Sequence, residues 1–310
     1  VNDAERINDR HLLCEGLLEL GTALVHAVRG YDDEGSILLR QSTELAGQSG
    51  LACLACEGFR ELGYVEALAG RRPSAATYLS QAKDFAQGRE NLASVHAVMG
   101  FNLVDWGRVD EGLEHYAIAV DHARATGNRR REIWSLGLGA LGYLAMDRVA
   151  EAERWLVDCL HLVDDERWMA FRPWPMSLLG EARLRQKRGA ADVRPALEES
   201  FALSCQLGDP CWEGAVARAL ALTYVAENQL ATALDWLADA SRRCRRDSDR
   251  YVGLQVGILA NQADMSRRLG HDSQASAYAR DWVSLAARAH MDGQVAKAAA
   301  FLTSRSGNRS

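Results

Sequence analysis

Prolines are scarce in this sequence, with five in all. No apolar run reaches the roughly 18 residues that a membrane-crossing helix needs, which excludes a spanning helix of that kind. Charge of one sign is not in large excess: 36 Lys and Arg stand against 42 Asp and Glu, so no global field favours nucleic acid. The zinc-protease pattern HExxH, the nucleophile turn GxSxG and the phosphate loop GxxxxGK[ST] are all missing, and few segments read as strands. Cysteine is limited to seven residues, an odd number that argues against a disulfide framework and for a reducing, cytoplasmic setting. Cys53 and Cys56 have CxxC spacing, but no second pair completes a zinc site, so both read as buried free thiols. The opening residues are no signal peptide and lack an initiating Met. The chain therefore reads as a segment of something longer.

What is present is a repeat. Short helix breaks are followed five residues on by a small residue: Gly30 to Gly35, Gly70 to Ala75, Gly107 to Gly112, Asp147 to Ala152, Asn228 to Ala233 and Gly270 to Ala275. Near Gly189 the pattern slips and reaches Ala196. The breaks recur every 37 to 42 residues and define seven units, at about 11–48, 51–88, 90–127, 129–165, 167–208, 210–247 and 249–289, with a cap over 290–304. In each unit the first helix has small residues near its middle: Leu20-Gly21, Leu62-Gly63, Met99-Gly100, Gly139-Ala140 and Leu220-Ala221. Small residues let two helices cross closely, which offsets the roughly 0.8–1 kcal/mol a helical glycine costs. A turn of Gly, Asn or Asp follows, the residues that tolerate a left-handed backbone. The second helix is amphipathic, as in Val149, Ala152, Leu156, Cys159, Leu160 and Val163. Pro73 and Asp209-Pro210 read as helix starts. The expected fold is all-α: a right-handed superhelix of about seven helix-turn-helix units of 37–42 residues plus a capping helix, forming one solenoid over 1–310.

Ala75, Leu79 and Ala82, then Gly112, Tyr116 and Ala119, then Ala233, Leu237 and Ala240 share one spacing. It resembles the tetratricopeptide repeat. The long unit, with the segments CEGFRELGYVEALAGR, ERWMAFRPWP, CQLGDPCWEGAVARALAL and DRYVGLQV, is similar to the sensor solenoid of large bacterial LuxR-type regulators of the maltose-activator kind, in their actinobacterial form. That resemblance implies a sensing segment lying between a nucleotide-binding switch and a helix-turn-helix module, neither of which is in this sequence.

Candidate chemistry is sparse. His115 and His122 share a helix face without an acidic or thiol partner, and read as half-buried or surface residues. Asp32-Asp33 and Asp164-Asp165 sit at helix junctions, where they are expected to cap the next helix. The basic runs Arg129-Arg130-Arg131 and Arg242-Arg243-Cys244-Arg245-Arg246 read as solvated helix ends near C-terminal dipoles. Trp155, Trp236 and Trp282 fall among the apolar positions of second helices and read as packing between units. The remaining aromatics are different. Trp134, Trp168, Trp174, Trp212 and Tyr251 lie at or near the starts of first helices, with Arg131, Glu132, Arg167, Arg172, Glu213, Asp249 and Arg250 beside them. Stacked units would align them as a ladder along one edge. Such a ladder either staples helix starts together or forms a ligand surface, and the irregular Arg172-Pro173-Trp174-Pro175 of the fifth unit favours the second role. The candidate binding residues are Trp134, Trp168, Arg172, Trp174, Trp212, Glu213, Arg250 and Tyr251. No catalytic residue, metal or cofactor is expected. The expected partner is a small-molecule effector or a protein or peptide, the latter in a concave groove as a scaffold would hold it, with no direct nucleic-acid or membrane contact.

Overall fold

The computed structural model describes residues 9–28, 32–246 and 251–304. Gly30, Asp249 and Arg250 lie outside them. Among the described residues there are fifteen α-helices and no strand. They form seven consecutive pairs: α1 (Arg10–Ala23) with α2 (Asp32–Gln48), α3 (Ala52–Leu68) with α4 (Arg72–Phe85), α5 (Gly88–Trp106) with α6 (Val109–Thr126), α7 (Arg129–Ala145) with α8 (Val149–Asp165), α9 (Pro173–Arg185) with α10 (Ala190–Leu207), α11 (Pro210–Ala226) with α12 (Leu230–Arg243), and α13 (Val252–Arg268) with α14 (Asp272–Arg288). The last helix, α15 (Asp292–Thr303), packs on α14 as a cap. The stack is a right-handed superhelix.

The small residues act as expected. A β-carbon on Gly63 would stand 2.7 Å from Leu79, and one on Gly100 would stand 2.9 Å from both the Gly112 carbonyl and the Tyr116 ring. Gly21 meets Leu39 and Gly180 meets Leu197 in the same way, each at 2.9 Å. In the first five pairs, with Gly139 meeting Trp155 in the fourth, a small residue of the first helix receives a large one from the second. The turns between paired helices are left-handed at Gly70, Gly107, Asp147, Asn228 and Gly270. The fifth unit departs from expectation. Its left-handed residue is Lys187, not Gly189, and buried Val193 rather than half-buried Ala196 opens the core face of α10.

Asp209 caps α11, accepting from the amides of Cys211 and Trp212 at 2.9 and 3.1 Å. Other expectations about helix ends are corrected. Asp164-Asp165 closes α8 instead of capping α9, and the adverse charge at that C-terminus is offset by Arg172, which bonds Asp164. Arg129-Arg130-Arg131 opens α7 rather than ending α6, because Asn128 takes the cap and accepts from the Arg131 amide. Cys56 is buried but Cys53 is exposed. Trp155, Trp236 and Trp282 do pack: against Tyr143, against Phe201 and among the buried residues near Phe301.

The superhelix curls until distant units touch. The α3–α4 turn at Gly70 abuts Ala289 and Val252 of the seventh unit. Beside it, fully buried Arg72 donates to the Ala67 carbonyl at 2.6 Å and to Asp105 at 3.3 Å, and Asp105 also accepts from the Tyr251 hydroxyl. First helices of the later units are tied by Glu181, which takes Arg185 at 2.5 Å and Arg218 at 2.7 Å, while Arg218 continues to Asn261 at 2.9 Å.

Three measurements follow from this packing. Gly100→Val should cost about 1–3 kcal/mol in urea unfolding, since neither the Gly112 carbonyl nor the Tyr116 ring can move aside. Gly47→Ala, a helical position with open space, should gain about 0.4–1 kcal/mol. Asp105→Ala strands the Arg72 guanidinium and should cost about 3–5 kcal/mol in the same assay. Burial works against ionisation of Glu181, but Arg218 and Arg185 outweigh it and hold its pKa down to about 2, from 4.5. The stability it contributes is therefore complete above about pH 4.5 and lost as pH falls towards 2. Glu181→Gln should flatten that acid limb of the pH–stability curve.

Candidate ligand cavity

Each first helix has two working faces. On α3, Gly63 turns to the partner helix, while Arg60, Glu61, Tyr64 and Leu68 turn inward. Because the superhelix curls, the inward faces surround a cavity of about 760 Å³. That lies within the roughly 300–1,000 Å³ typical of small-ligand sites.

Eight aromatic rings from six of the seven units line it: Tyr64, Phe101, Trp134, Trp168, Phe171, Trp174, Trp212 and Tyr251. They touch in sequence across the lumen. Tyr64 meets Trp134 and Phe101 edge-on at 5.4 and 5.5 Å, and Phe101 meets Tyr251 at 5.4 Å. Tyr251 meets Trp174 at 5.7 Å, Trp174 meets Trp212 at 5.4 Å, and Trp168 stacks on Phe171 at 5.0 Å. The Trp174 indole donates to the Gly137 carbonyl at 3.2 Å. Gly137 has no side chain at the place where Phe171 enters: a β-carbon there would stand 2.8 Å from that ring. Trp174 and Tyr251 are buried, whereas Trp134, Trp168 and Trp212 are half-buried at the cavity.

Polar groups are interleaved with these rings. Glu61 accepts from Arg60 at 2.6 Å and pairs with His26 at 3.0 Å. Burial raises its pKa, but Arg60 and then His26 more than reverse this, so Glu61 ionises well below the usual carboxylate range. Arg131 lines the same cavity. Burial and the neighbouring Arg60 charge pull its pKa down to about 10. Arg130 lies over the Trp168 ring at 5.3 Å, and Asp209 and Asn128 complete the rim.

Five of the eight candidate binding residues, Trp134, Trp168, Trp174, Trp212 and Tyr251, are therefore brought together, though across a lumen and not as a ladder along an edge. Arg172 and Glu213 are outside the lining. Arg172 is held by Asp164, and Glu213 is buried between Arg243 and Arg246 on the other side of α11. Sequence reasoning passed over Tyr64, Phe101, Phe171, Arg60, Glu61 and His26. For α3 a signal existed: residues 60, 61, 64 and 68 share a helical face opposite the small-residue face.

His115 pairs with His96, their Nδ1 atoms 2.7 Å apart, between α5 and α6. Among the described residues no group of three or more His, Cys, Asp or Glu is arranged to hold a metal, and no helix is long and apolar enough to cross a membrane.

No family model and no curated protein sequence matches this chain. Solved structures do. A Rap protein complexed with Competence and Sporulation Factor superposes with a TM-score of 0.72 at 11% identity, over 94% of this chain and 80% of its own. NprR in complex with its cognate peptide NprX gives 0.67 at 12% identity, over 96% and 83%. A STAND protein with a tetratricopeptide repeat sensor, from Pyrococcus horikoshii, gives 0.54 at 12% identity, over 90% of this chain and 44% of its own. At such identities the likeness establishes the tetratricopeptide-type solenoid, and it does not single out the LuxR-type group.

Proposed function

We propose that this chain is the non-catalytic sensing module of a larger bacterial regulator, working in the cytoplasm, and that it binds its effector in the central cavity. The finer assignment to a LuxR-type regulator rests on the segments CEGFRELGYVEALAGR and ERWMAFRPWP, both of which contribute to the cavity wall. One observation carries the reading: eight rings from six units converge on a single space. Aromatic faces exposed to a cavity give up stacking area that a ligand restores. A ligand touching several units at once favours one curl of the superhelix over others, and an effector shifts an equilibrium only through such differential contact. Catalysis has little support at the site, because Glu61 is already ion-paired and Asp209 caps a helix.

A second reading has its own support. Two of the similar structures are complexes, one of a Rap protein with Competence and Sporulation Factor and one of NprR with its cognate peptide. By analogy with the second, the occupant here is a short peptide, and the chain acts as a peptide-binding scaffold.

A thermal-shift screen of sugars, nucleotides, metabolites and short peptides tests the cavity. Ligand at 100 times its dissociation constant should add about 2.7 kcal/mol of stability. Trp168→Ala and Trp212→Ala should each weaken the response at least tenfold, while Arg172→Ala, outside the lining, should leave it intact. A ligand whose binding survives both tryptophan variants but fails in Arg172→Ala would move the site elsewhere.

A further inference from the structure

The charges lining the cavity do not balance. Three arginines, Arg60, Arg130 and Arg131, line the cavity with two carboxylates, Glu61 and Asp209. Both carboxylates are occupied: Glu61 by Arg60 and His26, Asp209 by the amides at the start of α11. Glu61, and then Glu57 and Glu90, soften the excess at Arg131 without forming an ion pair with it. Among the described residues no carboxylate lies within ion-pair distance of Arg130 or Arg131. Arg60 is 7% exposed, and its buried Nε–H has no acceptor.

Buried donors are almost always satisfied, and an unpaired one costs about 1–3 kcal/mol. Two guanidiniums facing the same space repel each other, and a planar bidentate anion is the partner that their geometry fits. Beside them are the rings of Trp134, one turn along α7 from Arg131, and of Trp168, over which Arg130 lies. We infer that the effector carries a carboxylate that docks on Arg131 and Arg60, with an apolar body stacked on these tryptophans. This deepens the proposed use of the cavity and rests on it. A free aromatic or aliphatic acid and the C-terminus of a short peptide share this chemistry.

The test uses matched pairs in thermal-shift and calorimetric titrations of the intact chain. One arm is a series of aryl- and alkyl-carboxylic acids of roughly six to twelve carbons, sized for the cavity, each beside its primary amide. The other is a set of N-acetylated aromatic pentapeptides, each with a free or an amidated C-terminus. Acids in at least one arm should raise the melting temperature, with the matched amides binding about tenfold or more weakly. The arm that responds identifies the source of the carboxylate. Arg131→Gln should abolish the acid preference while the ligand-free protein melts at or above the parent temperature, since an unpaired, half-buried cation is removed. Arg131→Lys should recover part of the preference. Equal binding of acids and amides overturns the inference, as does an acid preference that survives Arg131→Gln, or protection by no acid in either arm. Amide binding that is lost in Trp168→Ala would leave the cavity reading standing while the carboxylate inference fell.

Discussion

The structure depends on one steric constraint, repeated through the first five pairs: a small residue of the first helix must receive a large residue of the second. Gly63 under Leu79, Gly100 under Tyr116 and Gly180 under Leu197 are the same contact in different units. Helices that cross this closely have little freedom in their relative angle, because backbone meets side chain with no slack. A fixed angle within each pair becomes a fixed rotation from one pair to the next, and a solenoid's curvature is the sum of those rotations. Here the sum is large enough for the turn at Gly70 to meet Ala289 and Val252 five units later.

Closure changes what the inward faces mean. In an open solenoid Tyr64, Phe101 and Tyr251 would sit on separate units facing water. In this curl Phe101 touches both of the others, and all three line one cavity. Polar groups caught in it must find partners or remain costly. At the edges of the site the chain supplies them: Asp105 answers Arg72, and Glu181 answers Arg185 and Arg218. Beside Trp134 it supplies one carboxylate, Glu61, against Arg60 and Arg131. At the cavity the buried Arg60 Nε–H is left without an acceptor and Arg131 without an ion pair, a local cost of the kind expected where a protein gives up stability for binding.

The periodicity made most of the fold legible. Turn residues able to hold a left-handed backbone mark the pair boundaries, with the fifth unit shifted because Lys187 rather than Gly189 takes that conformation. The tryptophans at first-helix starts were legible as a group, since large aromatics at equivalent positions stand out against Ala- and Leu-rich helices. Arg172 and Glu213 looked equivalent to them by proximity in sequence. Both instead face other charges, Asp164 and the Arg243–Arg246 pair, which lie 8 to 33 residues away and cannot be assigned by reading along the chain.

By itself the sequence determined the helices, their pairing and their order, because these follow from spacings shorter than one unit and from the burial of one face per helix. Only the tertiary structure decided that the solenoid closes, that an expected edge ladder becomes a lined cavity, and that Arg60 and Arg131 face it with Glu61 already paired with Arg60 and His26. Those outcomes depend on small rotations accumulated over many pairs. Small differences in crossing angle separate an open groove from a lined cavity, and no residue pattern records them.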